Sequence, residues 1–270
     1  MNQKGRTMNI AVIGYGHMAG AIVRGWIQSE VFRPEEIFVC AHRYEPLKKR
    51  AREMGINPCK TAEEAVRKAD WILYGGPADR WETILLPLAQ DLEGKVLLSI
   101  AAGVPFEDYE STPLSKTHHL SLLPSLPVEV QEGVVLAENR SSLTEPEKAK
   151  AETLLKALGL FEEVDSSMIS AAGTLTGCGP AFVYAFMEAL SDAIVRYGIK
   201  RDQSYRLITQ MVLGSAALQK ETGVHPTVLK EAVASPGGTT IRGLNALHKT
   251  GFSRALIEGM EAILKEEPIG

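Results

Sequence analysis

From Asn9 to about Val164, short unbroken apolar runs alternate with stretches whose apolar positions recur at helical spacing. Ile10-Ala11-Val12-Ile13, Ile37-Phe38-Val39-Cys40, Trp71-Ile72-Leu73-Tyr74 and Val96-Leu97-Leu98-Ser99-Ile100 are continuous rather than alternating, which predicts strands covered on both faces. Helices are expected to begin near Met18, Pro46, Ala62 and Arg80, and another follows Thr144-Glu145-Pro146-Glu147, where a capping-box spacing meets a proline in the first turn. Such alternation predicts βα units wound around a parallel sheet. After Val164 the strand signal stops. Phe182, Phe186, Leu190 and Ile194 recur every fourth residue, with Tyr197 three further on, as one apolar helix stripe. A second helix is predicted over about Gln203–Thr222 and a third from about Thr240 into Lys265. The fold class read here is α/β: a doubly wound, Rossmann-type sheet over 8–164, then an all-helical domain over 165–270. Residues 1–7 read as a flexible lead-in. A helical domain with several apolar faces is expected to complete its core against another copy.

Composition narrows the partners more than the fold. The chain has 270 residues, enough for two moderate domains, and its 45% hydrophobic and 23% charged content is that of a soluble globular protein. A net charge of −4 gives no reason to expect nucleic acid or an anionic membrane as partner. The apolar runs are too short for a membrane span and the first residues lack the apolar middle of a signal peptide, so a cytoplasmic setting is expected. Cys40, Cys59 and Cys178 lack CxxC spacing and the six histidines are scattered, so neither a disulfide framework nor a metal site is expected.

The chemistry-bearing residues lie at the two ends of the chain. Gly14-Tyr15-Gly16-His17-Met18-Ala19 sits between the first strand and a helix, the setting in which G-x-G-x-x-A cradles a dinucleotide. Gly14 permits the turn, Gly16 admits a pyrophosphate, Ala19 lets helix and strand pack, and the helix N-terminus favours negative charge. The second strand ends in Cys40-Ala41-His42-Arg43, without the acid that holds the ribose of NAD. Arg43 could instead pair with a 2′-phosphate, with His42 beside it, or be one more solvated charge; the first reading favours NADPH, with NADH the alternative. Gly75-Gly76-Pro77, Ala101-Ala102-Gly103 and Ser125 in Pro124-Ser125-Leu126-Pro127 follow later apolar runs, where a nicotinamide could lie over the sheet. Near the carboxyl end, Ser235-Pro236-Gly237-Gly238-Thr239-Thr240-Ile241 could hold a carboxylate at a helix mouth, or be an ordinary loop and cap. Cys178 could be a nucleophile or a small buried side chain, and Glu188 with Asp192 a carboxylate pair or a solvated face.

Together with Ser99-Ile100-Ala101-Ala102-Gly103, Gly177-Cys178-Gly179-Pro180-Ala181-Phe182, Gly251-Phe252 and Ala255-Leu256-Ile257-Glu258, these segments resemble the pyrroline-5-carboxylate reductases, in order and spacing, from about Asn9 to Lys265. The resemblance implies an NAD(P)H-dependent reductase making L-proline from a cyclic imine. Residues Gly14 to Ala19 would bind cofactor, Arg43 the adenosine phosphate, and Ala101 and Ala102 would line the nicotinamide. Ser235, Gly237, Gly238, Thr239 and Thr240 would hold the substrate, with Gly177, Gly179 and Pro180 shaping the cleft and Thr240 facing the imine. It further implies a homodimer with the site at the subunit interface, and leaves open a higher oligomer of dimers. His17, Gly75-Gly76 and Ser125-Leu126 depart from the usual family residues. A reductase of another cyclic imino acid, or a cofactor-binding regulator of the late-competence type, therefore stands as an alternative.

Overall fold

Along the first strand, Ile10 and Val12 join one buried cluster while Ala11 and Ile13 join another, so a four-residue strand supplies both sides of a sheet. The structure is a computed structural model and describes residues 8–266. The lead-in expected over 1–7 lies outside them, as does the stretch beyond 266. The strands are β1 (Ile10–Ile13), β2 (Ile37–Cys40), β3 (Asn57–Pro58), β4 (Trp71–Tyr74), β5 (Val96–Ser99), β6 (His118–Pro124), β7 (Gly133–Ser141) and β8 (Gly159–Val164). They form one sheet in the order β3-β2-β1-β4-β5-β6-β7-β8. Every pairing is parallel except β6 with β7.

One face is covered by α1 (His17–Gln28), α2 (Tyr44–Met54) and α7 (Glu145–Lys156), around Trp26, Phe32, Leu47, Leu73 and Leu154. The Trp26 indole donates to the Leu154 carbonyl at 2.9 Å, tying α1 to α7. The other face is covered by the short helices α3 (Ala62–Val66), α4 (Trp81–Leu85), α5 (Ala89–Leu92) and α6 (Phe106–Glu110), around Ile72, Tyr74, Leu85, Leu92 and Tyr109. The capping box read at Thr144 is formed: Glu147 accepts from the Thr144 N–H at 2.8 Å.

The helices that follow are α8 (Ile169–Gly173), α9 (Gly179–Val195), α10 (Arg201–Thr222), α11 (Pro226–Ala232), α12 (Thr239–Lys249) and α13 (Phe252–Glu266). The single helix expected from Thr240 into Lys265 is two, because Gly251 turns left-handed at φ +83° between α12 and α13. The chain divides into two compact units at Cys178/Gly179. Among the described residues the helical run Ser166–Val195 is long and apolar enough to cross a membrane by length and composition, against the sequence expectation. It is uncharged up to Met187, with serine, threonine and glycine interrupting its apolar residues.

Candidate functional site

In the first unit the predicted cofactor residues gather at the carboxyl ends of β1, β2, β4 and β5. The strand ladders continue past their ends: Gly14 N–H donates to Cys40 O at 3.0 Å, Gly75 N–H to Ile13 O at 2.8 Å and Ile100 N–H to Tyr74 O at 2.9 Å. Gly14 is left-handed at φ +89°, and a Cβ on it would lie 2.4 Å from Gly76 N. On Gly75 a Cβ would lie 2.8 Å from Ala19 Cβ. The backbone at 14, 75 and 76 and the Ala19 methyl therefore interlock, which fixes the turn before α1 and gives Gly75 and Gly76 a packing reason. Gly16 differs: a Cβ there would meet nothing within 4 Å, so its lack of a side chain keeps space open. It is the N-cap of α1, without a side-chain cap or an acid in the first turn, so free N–H groups and the helix dipole face outward.

The remaining predicted residues divide. His17 is exposed, Met18 half-buried and Ala19 buried. Tyr15 is 3% exposed, with its hydroxyl on Met54 Sδ at 3.1 Å, its carbonyl accepting from Arg50 and its phenol held protonated by burial. Only its backbone faces the turn. His42 and Arg43 are exposed just beyond β2, and Arg43 has no ion-pair partner among the described residues. Pro77 is exposed, and its carbonyl accepts from the buried Tyr74 hydroxyl at 2.9 Å. Ala101 is buried, Ala102 exposed. Ser125 is 2% exposed and its Oγ accepts from Val134 N–H at 2.8 Å, pinning the turn after β6.

Under Ala101 lies a buried polar layer that sequence reasoning missed. Ser99 Oγ meets Tyr109 Oη at 2.7 Å and also accepts from Ala101 N–H at 3.3 Å. His119, fully buried, meets Phe106 O through Nε2 at 3.2 Å, and burial drives its pKa down to about 4. It is neutral at pH 7, so the Glu110 carboxylate 3.7 Å away is no ion-pair partner. Glu138 is 2% exposed and accepts from Phe106 N–H at 2.9 Å and Ser166 Oγ at 2.5 Å. A carboxylate in a β-strand ordinarily signals a solvated position, so nothing in the pattern marks it.

Gly177 lies in a π-turn, Thr174–Cys178, that runs into α9, and Gly179 and Pro180 open that helix. Pro180 lacks the N–H that an α-helix would direct at the fourth residue back and its ring crowds that carbonyl, so a wider turn there has a local cause. Cys178 is a free, partly buried thiol. In the second unit Asp192 pairs with Arg201 at 2.6 Å, not with Glu188.

Ser235-Pro236-Gly237-Gly238 is a tight turn, closed by Gly238 N–H on Ser235 O at 3.0 Å, with Gly237 left-handed at φ +69°. Gly238 is the uncapped N-cap of α12, with no acid in the first turn, and Thr239 and Thr240 are exposed there. This helix mouth offers N–H groups and two hydroxyls to an anion. Large side chains of this unit, among them Tyr184, Phe186, Leu207, Met211, Leu213 and Ile257, stay exposed in the single chain.

A glycine cradle ahead of an uncapped helix at the carboxyl end of a parallel sheet is the setting of a dinucleotide-binding domain, here followed by a helical unit with exposed apolar side chains. A family model for NADP oxidoreductases of the coenzyme F420-dependent type matches residues 9–103, and one for pyrroline-5-carboxylate reductase dimerisation matches 166–267. The chain is 40% identical to a pyrroline-5-carboxylate reductase of Treponema pallidum over 95% of this chain and 99% of that one. It is 31% identical to the Escherichia coli enzyme of that name, covering 95% and 96%. A crystal structure of the Plasmodium falciparum pyrroline carboxylate reductase with NADP bound superposes with a TM-score of 0.86 at 26% identity, covering 96% of this chain and 97% of that one. The chain belongs to the pyrroline-5-carboxylate reductase family. The matched dimerisation region includes both the apolar run Ser166–Val195 and the helices whose large side chains stay exposed in the single chain.

Proposed function

We propose that the protein reduces 1-pyrroline-5-carboxylate to L-proline with NADPH, in the cytoplasm. The observation that carries this is the 40% identity over nearly both whole chains, together with a glycine cradle whose one open position, Gly16, is the one a pyrophosphate must approach. Bound NADPH supplies the hydride. The residues that fit it are Gly14 to Ala19 at the pyrophosphate, Arg43 with His42 at the 2′-phosphate, and Ala101 and Ala102 beside the nicotinamide. NADH would leave Arg43 without a partner.

On the substrate side, the N–H groups at the mouth of α12 take the carboxylate and the Thr240 hydroxyl hydrogen-bonds the imine nitrogen. A protonated cyclic imine is already electrophilic, and hydride addition to its carbon leaves the ring nitrogen as a secondary amine. No strong acid or base is then needed from the chain. Its task is to hold donor and acceptor in near-attack geometry, an effect worth roughly 7 to 11 kcal/mol in ideal systems. We place each site at the subunit interface, the nucleotide cradle from one copy and Thr240 from its partner. Comparing kcat/KM for five- and six-membered cyclic imino acids tests the substrate. Preference for the five-membered ring, by roughly tenfold or more for one methylene, is expected, and the reverse order would reject it.

A further inference from the structure

We infer that Glu138 is a positioning residue for the nicotinamide end of the cofactor, a reading that rests on the proposed placement of that ring beside Ala101 and Ala102. The loop that follows β5 runs from Ala101 to Pro105 and enters α6 at Phe106. It walls a cavity of about 110 Å³ with Ser121, Leu122, Leu123 and Ile169. Among the described residues, Glu138 is the one ionisable group lining that cavity. It is almost wholly buried on β7, and its two oxygens go to different segments: Oε2 to Phe106 N–H at the far end of the loop and Oε1 to the Ser166 hydroxyl ahead of α8.

A buried carboxylate stays in place only where hydrogen bonds satisfy it, so these contacts fix where the loop ends. The loop's other end is fixed by Ser99 Oγ on Ala101 N–H, and its middle by Ser121 Oγ on Val104 O at 3.3 Å. Ala102 and Gly103 are exposed between these anchors. A loop held at both ends presents its small residues at one height over the sheet. Freed at the Phe106 end, it would have to be ordered by the ligand itself, which weakens binding at that end alone.

The test compares two ligands on the same protein. NADPH reaches both the Arg43 end and the loop after β5, whereas adenosine 2′,5′-bisphosphate lacks the nicotinamide and its ribose and reaches only Arg43 and the glycine cradle. E138A should raise the Kd for NADPH roughly tenfold, the scale of a lost charged hydrogen bond, and leave that of the bisphosphate within about twofold. E138Q should recover most of the loss, since the amide oxygen can accept from Phe106 N–H while its NH2 donates to Ser166. Unchanged NADPH affinity in E138A, or equal loss of both ligands, would overturn the inference. Should E138A not fold, the same titrations on S166A decide: a loss confined to NADPH supports it and equal affinities contradict it. Wild-type turnover and bisphosphate binding report separately on the proposed function.

Discussion

Gly14 and Gly76 meet backbone to backbone: a single added carbon on Gly14 would stand 2.4 Å from the Gly76 nitrogen, while the same carbon on Gly16 would touch nothing. The two glycines of one motif therefore stand in different surroundings, the first packed against backbone and the second facing open space, where the proposed function puts a pyrophosphate. Gly14→Ala should destabilise the protein by about 2 to 4 kcal/mol, from left-handed strain and overpacking. Gly16→Ala should leave the denaturation midpoint nearly unchanged and weaken NADPH binding roughly tenfold or more. Chemical denaturation paired with cofactor titration checks both.

Arg43 stands exposed beyond β2 with no ion-pair partner among the described residues. If it receives a 2′-phosphate, Arg43→Ala should raise the Kd for NADPH by roughly ten- to a hundredfold, the scale of a charge-assisted contact, and leave NADH unaffected. Equal losses for both cofactors would return Arg43 to the role of a solvated charge.

His119 couples stability to pH. Its folded pKa is about 4, depressed by burial below the ordinary histidine value, so the unfolded chain binds the extra proton between those two values. The contribution, at most roughly 3 kcal/mol, is complete above about pH 6.5 and is lost as pH falls towards 4. Unfolding free energies at neutral and mildly acidic pH should differ less in His119→Gln than in wild type. An identical pH slope in the two would contradict this.

Much of this was legible in the sequence where one physical demand dominates. Four apolar runs gave β1, β2, β4 and β5 because strands buried on both faces must be apolar throughout, and Thr144 with Glu147 announced α7. The edge strand β8 was illegible, since Leu160, Glu162 and Glu163 lie exposed and carry no burial signal. The motif places Gly14 and Gly16 together in one turn, but it could not show that the first is packed and the second open. The buried contact of Ser125 was not legible, because a serine after a strand looks the same whether or not its hydroxyl also accepts from the backbone, here from Val134 N–H. Glu138 was missed for the converse reason.

The proposed interface site makes a prediction about mixtures. Thr240 is exposed in the first turn of α12, so Thr240→Ala should lower kcat by roughly ten- to a hundredfold with stability nearly unchanged. A Gly16→Glu subunit should be inactive through its cofactor half. Co-expressed with Thr240→Ala subunits, it should restore about a quarter of wild-type activity, because half of randomly paired dimers are mixed and each mixed dimer has one intact site. No recovery would place each site within one chain.

Hydride transfer itself is tested most directly with cofactor labelled at the nicotinamide C4. NADPH carrying deuterium in the transferable position, mixed with 1-pyrroline-5-carboxylate and the protein, should yield L-proline bearing the label on the ring carbon formerly double-bonded to nitrogen. Tight binding of the labelled cofactor with no label in proline would contradict the assignment of this protein as a reductase.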